Sequence, residues 1–162
     1  MSAAAPLDVV FFELRGLRCA LPLAVVRKVL PMRGITPVPL APPVVRGIAP
    51  MQGFILPVLD LAVCFQPAGD DATEAGGDRF AQDKLLLVET KPDAGLETVR
   101  VAIAVARSLG LGTIDEQYSR PPPARPPFLS ATILDAGGPA LLLDLERTLD
   151  YVRDSISAAI GS

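Results

Sequence analysis

Prolines constrain the fold of this chain more than any other residue type. The sequence of 162 residues contains seventeen of them, together with thirteen glycines. Proline lacks the backbone N–H that helix interiors and inner strands require, and glycine favours turns. This proline usage is about twice the average for soluble domains and favours many short strands over long helices. We therefore expect a mainly β protein.

The most informative segment is residues 44–61, which read VVRGIAPMQGFILPVLDL. Two apolar runs flank residues 51–53, where glycine suits the backbone angles of a hairpin turn. Pro50 and Pro57 cannot donate to a strand ladder, so we expect this hairpin at a sheet edge or a barrel rim. Nothing in it is catalytic in character, which indicates a scaffold and docking surface.

Strand signals recur along the rest of the chain. We expect strands at residues 9–14, 17–23, 84–90, 99–105, 130–134 and 140–143. Residues 24–30 are compatible with a helical turn or with a further strand. Residues 35–43, with four prolines, are expected to be an extended connection. Pro42 and Pro43 would allow one helical turn over residues 44–47.

Residues 54–65 and 139–149 echo each other, because each has an apolar strand followed by Asp-Leu and a helical turn. The echo suggests two similar β subdomains. We interpret Asp60 and Asp144 as helix N-caps rather than acid–base groups. The tail carries an apolar stripe at helical spacing: Leu145, Leu149, Val152, Ile156 and Ile160. It predicts an amphipathic helix that packs on its own domain, with partner binding by the distal half as the less favoured alternative.

The residue types argue against an enzyme. The chain has no histidine, which removes Ser-His-Asp and Cys-His nucleophile pairs and histidine-ligated metal. Cys19 and Cys64 are expected to be buried thiols rather than a disulfide. No phosphate-binding glycine motif is present, and we interpret residues 121–127 as a connector rather than a polyproline ligand. We expect no catalytic residue, no cofactor and no metal.

Charge and hydropathy limit the partners and the location. The formal net charge is −3 and no basic run is present, which argues against nucleic-acid binding. No apolar run reaches the roughly 18–20 residues of a membrane span, so we expect no membrane insertion. The first residues lack the cationic lead of a secretion signal, which favours a cytoplasmic location.

The order of residues in segment 44–61 resembles the CheW-like domain, the chemotaxis coupling fold. The matching positions are Gly47, Met51, Gly53, Pro57, Asp60 and Leu61. The resemblance covers residues 7–153 and leaves 154–162 as a C-terminal tail. It implies two five-stranded, SH3-like β-barrels packed around a shared apolar seam, with their halves separated near the polar loop 66–83.

The resemblance also implies a function. The chain would be a non-enzymatic bacterial adaptor that couples the cytoplasmic tips of chemoreceptors to the regulatory domain of a CheA-type histidine kinase, within a two-component system. The implied partner-binding residues are Val26, Lys28, Val29, Thr36, Gly47, Gln52 and Gly53. Their apolar members suit a slot for a helical hairpin, in which each buried valine contributes about 1.5–3 kcal/mol. Gly47→Arg is expected to abolish partner binding and leave the fold largely intact.

Four positions depart from the family pattern. Lys28 stands where members often carry Glu, Gln52 replaces the usual Arg, Pro50 replaces Asn, and Ala106 replaces an Asp. These departures leave two hypotheses. The chain is either a working coupler or a divergent modulator or decoy that binds one array partner, for example in a pilus-motility pathway. Under the second hypothesis, Lys28→Glu combined with Gln52→Arg should restore a lost contact.

Overall fold

The computed structural model describes residues 6–65, 82, 84–90 and 97–161. The strands in this part of the chain are β1 (Leu7–Leu14), β2 (Leu17–Pro22), β3 (Val26–Pro31), β4 (Val45–Met51), β5 (Phe54–Leu59), β6 (Lys84–Glu89), β7 (Arg100–Val105), β8 (Arg107–Ile114), β9 (Ser119–Arg120), β10 (Leu129–Asp135) and β11 (Gly138–Leu143). The α-helix α1 spans Leu145–Gly161, and short 3-10 helices span Leu23–Val25, Leu61–Phe65 and Glu116–Tyr118. The predicted mainly β class is confirmed.

The strands form two sheets. One has six strands in the order β8-β1-β2-β11-β10-β9, and the other has five in the order β3-β6-β7-β5-β4. Each sheet contains one parallel pair, β11 with β2 and β5 with β7. The expected pair of SH3-like barrels agrees with this arrangement. The expected count of five strands is wrong for the first sheet, because the two-residue strand β9 pairs with β10.

The division between the sheets does not fall near residues 66–83, where the sequence analysis placed it. That segment connects β5 with β6, which belong to the same five-stranded sheet. The six-stranded sheet instead joins β1 and β2 from the start of the chain with β8 to β11 from its end. The parallel pairing of β2 with β11 accounts for this, because it joins strands that are distant in sequence.

Apolar side chains form three clusters, one inside each barrel and one between them. The interior of the five-stranded barrel is built from small and medium residues such as Ala49, Val58 and Ala102. The largest cluster lies between the sheets and includes Phe12 from β1 and Ile103 from β7. This cluster is the shared apolar seam that the resemblance implied.

Helix α1 covers one side of the seam. Its N-cap is Asp144, whose Oδ1 accepts a hydrogen bond from the backbone N–H of Arg147 at 3.0 Å. Leu145 and Val152 are buried in the seam cluster, whereas Ile160 near the end of the helix is 78% exposed. The expected amphipathic helix is thus present, and residues 154–161 continue it without interruption.

Residues 24–30 and 44–47, for which the sequence allows a helical turn, are mostly strand in the structure. The Leu23–Val25 3-10 turn leads directly into β3, so both readings of residues 24–30 hold in part. The predicted helical turn over residues 44–47 is wrong. A single turn closed by the Val45 N–H and the Pro42 carbonyl precedes β4, and the strand then pairs with β5 from Val45 onward. The pairing of β4 with β5 outweighs the tendency of Pro42 and Pro43 to start a helical turn.

Candidate functional site

The β4–β5 hairpin forms the rim of the five-stranded barrel. Its connection consists of Gln52 and Gly53, both with positive φ angles of 51° and 82°. Met51 pairs with Phe54 directly across it. Positive φ at both central residues is the signature of a tight two-residue hairpin turn whose twist matches that of the strands. The turn therefore projects the Gln52 side chain into solvent.

Gln52 contacts the other family departure, Lys28. The Lys28 Nζ donates a hydrogen bond to the Gln52 Oε1 at 3.2 Å, and both side chains are exposed. Lys28 lies on β3 and Gln52 follows β4, so the contact joins the two edge strands of the five-stranded sheet. The two departures are therefore in contact with each other, although 24 positions separate them in the sequence.

Thr36 and Gly47 also meet, and they close the barrel. The Thr36 N–H donates to the Ile48 carbonyl at 2.8 Å, and the Ile48 N–H donates back to the Thr36 carbonyl at 2.9 Å. A Cβ on Gly47 would lie 2.8 Å from the Ile35 Cγ2 and 2.9 Å from the Thr36 carbonyl carbon, with the carbonyl oxygen closer still. Glycine is thus required for this close approach of two backbones.

This geometry corrects the expectation for Gly47→Arg. Gly47 is buried, so it presents no side-chain surface to a partner. Any larger residue would push the backbone at Thr36 away from β4 and disturb the barrel closure. The substitution would perturb the fold around the site, and loss of partner binding by this variant would not identify a contact residue.

The two valines on β3 differ in accessibility. Val26 is half-buried and packs against the seam cluster. Val29 is 42% exposed and is therefore the apolar candidate that remains available to a partner. Val29, Lys28, Gln52 and Gly53 are all exposed, and we call these four residues the accessible rim, whereas Gly47 is buried.

The outer face of the β4–β5 hairpin adds apolar surface that the sequence analysis did not identify. Ile48 pairs with Pro57, and Pro50 pairs with Ile55. Ile55 is 72% exposed and Ile48 is 38% exposed. The alternation of these residues along both strands is the signal that would have found them. We call these four residues the hairpin face.

Charged side chains next to the rim form a second group that the sequence analysis missed. The Glu89 carboxylate contacts Arg27 Nη2 at 2.6 Å through Oε1 and Arg100 Nε at 2.9 Å through Oε2. The Arg100 guanidinium lies over the Phe54 ring, with its Cζ 4.7 Å from the ring centroid. Glu89 and Arg100 are directly paired on β6 and β7, so the hairpin register would have placed them together.

Comparison with known proteins identifies the family. A family model described as the CheW-like domain matches residues 8–153. The chain belongs to the CheW-like domain family. Proteins of this family are scaffolding adaptors of chemotaxis signalling and not enzymes, and this chain is a scaffold of that kind.

A solved structure shares the fold of this CheW-like domain. The chain is similar to the scaffolding protein TtCheW from Thermoanaerobacter tengcongensis, with 22% identity and a TM-score of 0.66, over 86% of this chain and 90% of that one. No curated protein matches the sequence closely enough to count as a relative.

The surroundings of the two cysteines and the two capping aspartates give these residues structural roles in this CheW-like domain. Burial raises the pKa of Cys19 to about 12 and that of Cys64 to about 11, and neither forms a disulfide. Thiols with raised pKa values are poor nucleophiles at neutral pH. Asp60 Oδ1 accepts from the Ala62 N–H at 3.1 Å, so Asp60 and Asp144 both cap helices as expected.

Two further sites considered from the sequence are not found in the part of the chain that the structure describes. Across residues 6–65, 82, 84–90 and 97–161, no group of three or more acidic or cysteine side chains is placed to hold a metal ion. None of the helices in these same ranges has the length and apolar character to span a membrane. Apart from residue 82, the polar loop 66–83 lies outside the described ranges.

Proposed function

We propose that this CheW-like domain couples the cytoplasmic tips of chemoreceptors to the regulatory domain of a CheA-type histidine kinase, and that it does so in the cytoplasm by binding alone. The family match over residues 8–153 is the observation that carries the proposal. The apolar surface on the five-stranded barrel supports it, because an adaptor needs accessible apolar area to bind its partners.

The accessible rim would receive the receptor hairpin. Val29 supplies exposed apolar area on β3, and Lys28 and Gln52 border it through their mutual hydrogen bond. The hairpin face lies on β4 and β5 and adds to the surface available for binding. Several contacts of modest strength suit reversible assembly, in which linked sites reinforce one another.

The hairpin face offers a direct test by titration calorimetry. We expect the purified protein to bind the kinase regulatory domain and a receptor-tip hairpin from the same organism. Ile55→Asp should weaken binding to at least one of them by about tenfold or more, because burial of an isoleucine contributes about 1.5–3 kcal/mol. Ile160→Asp, at a residue of similar exposure at the end of α1, is the matched control. Equal binding by both variants would exclude the hairpin face.

A second candidate function rests on the Lys28–Gln52 contact. Since the family pattern would give a Glu–Arg pair here, the chain would be a modulator or decoy that engages only one array partner. Under this hypothesis the double variant Lys28→Glu with Gln52→Arg should gain measurable affinity for the partner that the natural chain does not bind. Unchanged binding of that partner would reject it.

A further inference from the structure

A group of three cationic side chains and one carboxylate lies on the five-stranded barrel. Arg27 and Lys28 are neighbours on β3, Glu89 lies on β6 and Arg100 lies on β7. Both guanidinium groups contact Glu89. One carboxylate offsets one charge of the two arginines, so the group retains a net positive charge even before Lys28 is counted.

Lys28 adds to that charge rather than balancing it. Its ammonium group is bonded to the neutral amide of Gln52 at 3.2 Å. Among the residues that the structure describes, no carboxylate lies within ion-pair distance of this ammonium group. Lys28 is exposed, and the Gln52 contact fixes the position of its ammonium group beside the β4–β5 turn.

An aromatic ring completes the same surface. Phe54 is 49% exposed, and the Arg100 guanidinium is stacked on it. The contacts run from Lys28 to Gln52, through the turn to Phe54, and from Phe54 through Arg100 and Glu89 to Arg27. We call this continuous group the basic rim. Aromatic and arginine side chains together are typical of energetically important contacts in protein interfaces.

We infer that the receptor-tip hairpin that docks at the basic rim presents carboxylate side chains to Lys28 and Arg27. This inference rests on the proposed coupling function and adds the chemistry of the partner. A surface with exposed, unbalanced positive charge attracts an acidic segment and repels a basic one, and such complementarity sets both the association rate and the choice of partner. Lys28 thus pairs with a carboxylate of the partner, so its departure from the family pattern does not remove a contact.

Charge reversal at Lys28 tests the inference. Calorimetric titration with a receptor-tip hairpin compares the natural protein with Lys28→Gln and Lys28→Glu. At about 0.05 M salt we expect Lys28→Glu to weaken binding by about tenfold or more, and Lys28→Gln by a smaller factor. At about 0.5 M salt the difference should shrink, because the Debye length falls below the spacing of surface charges. The Gln52 amide can also donate to the carboxylate that Lys28→Glu introduces, so the variant should remain folded.

Two controls separate this effect from others. Arg120→Glu makes the same change of charge on β9 of the other barrel, where the natural guanidinium bonds the backbone carbonyls of Gln117 and Ser119, and it should alter the affinity by less than about twofold. Reversal of the acidic residues of the receptor tip to lysine should restore binding to the Lys28→Glu variant.

The outcomes distinguish the inference from the proposed function. Unchanged or tighter binding by Lys28→Glu, with normal binding by the natural protein, would overturn the inference and leave the coupling function standing. If the natural, folded protein binds no receptor tip at either salt concentration, the proposed receptor coupling fails and the inference fails with it.

Discussion

The close contact between Gly47 and the backbone at Thr36 predicts that Gly47→Ala lowers the stability of the protein. The added Cβ would stand 2.8 Å from the Ile35 Cγ2, whereas ordinary contact begins near 3.4 Å. Segment 35–36 must therefore move away from β4, which strains both hydrogen bonds between Thr36 and Ile48. Overpacking costs about 1–3 kcal/mol, and a weakened hydrogen bond adds about 1 kcal/mol. We expect a loss of about 2–4 kcal/mol in the free energy of unfolding.

Urea denaturation followed by circular dichroism measures this loss through linear extrapolation. Gly137→Ala is the matched control, since the nearest atoms to its Cβ would be the terminal atoms of the Arg18 side chain. Movement of that side chain strains its hydrogen bonds to Asp135 and Gly138 but leaves the backbone in place, so the control should lower the free energy of unfolding by only about 1 kcal/mol. If Gly47→Ala costs no more than Gly137→Ala, the two backbones do not approach as described, and Gly47→Arg would become a valid probe of partner binding again.

Two further predictions concern capping and the thiols. Asp144→Ala should lower the free energy of unfolding by about 1 kcal/mol through loss of the N-cap bond to Arg147; an equal effect of Asp154→Ala in thermal denaturation would contradict this role. Because burial raises the pKa of Cys19 from 9.0 to about 12, the folded state retains its proton where the unfolded state releases it. Stability should therefore fall as the pH rises from 9 toward 12. Cys19→Ala should reduce this slope in urea titrations, and an unchanged slope would assign it to other groups.

Local signals predicted most of the strands. Pro50 and Pro57 lack ladder donors, which predicts an edge position for the β4–β5 hairpin. Strand β4 with Pro50 is an edge strand, whereas β5 with Pro57 lies between β4 and β7. The capping roles of Asp60 and Asp144 followed from their positions before apolar helical turns. Hairpins are specified by neighbours in sequence, so residue patterns carry enough information to place them.

Local residue patterns do not predict the pairings between strands that are distant in the sequence. The parallel pairs β2–β11 and β5–β7 decide which strands share a barrel. Neither pairing can be recognised from the spacing of residues in the sequence. The placement of the sheet division near residues 66–83 was wrong for this reason. Strand β8 was also missed, because its glycines and exposed side chains lack the alternation of a half-buried strand.

The contacts of the candidate site are also long-range, so local residue patterns do not predict them. Lys28 and Gln52 are separate departures in the sequence, where 24 positions lie between them, yet their side chains touch in the structure. Only the closure of the five-stranded barrel brings them together. The sequence likewise indicates Gly47 as part of a binding surface, whereas in the structure the backbone of Thr36 covers that position. The role of a glycine depends on what lies opposite it, which the sequence does not specify.

Coupling requires that one molecule of this CheW-like domain binds a receptor and a kinase at the same time. Sedimentation velocity of the protein with the kinase regulatory domain and a receptor-tip hairpin, separately and together, tests it most directly. We expect a ternary complex that sediments faster than either binary complex. Displacement of one partner by the other, or binding of only one of them, would contradict the coupling function and favour the one-partner modulator.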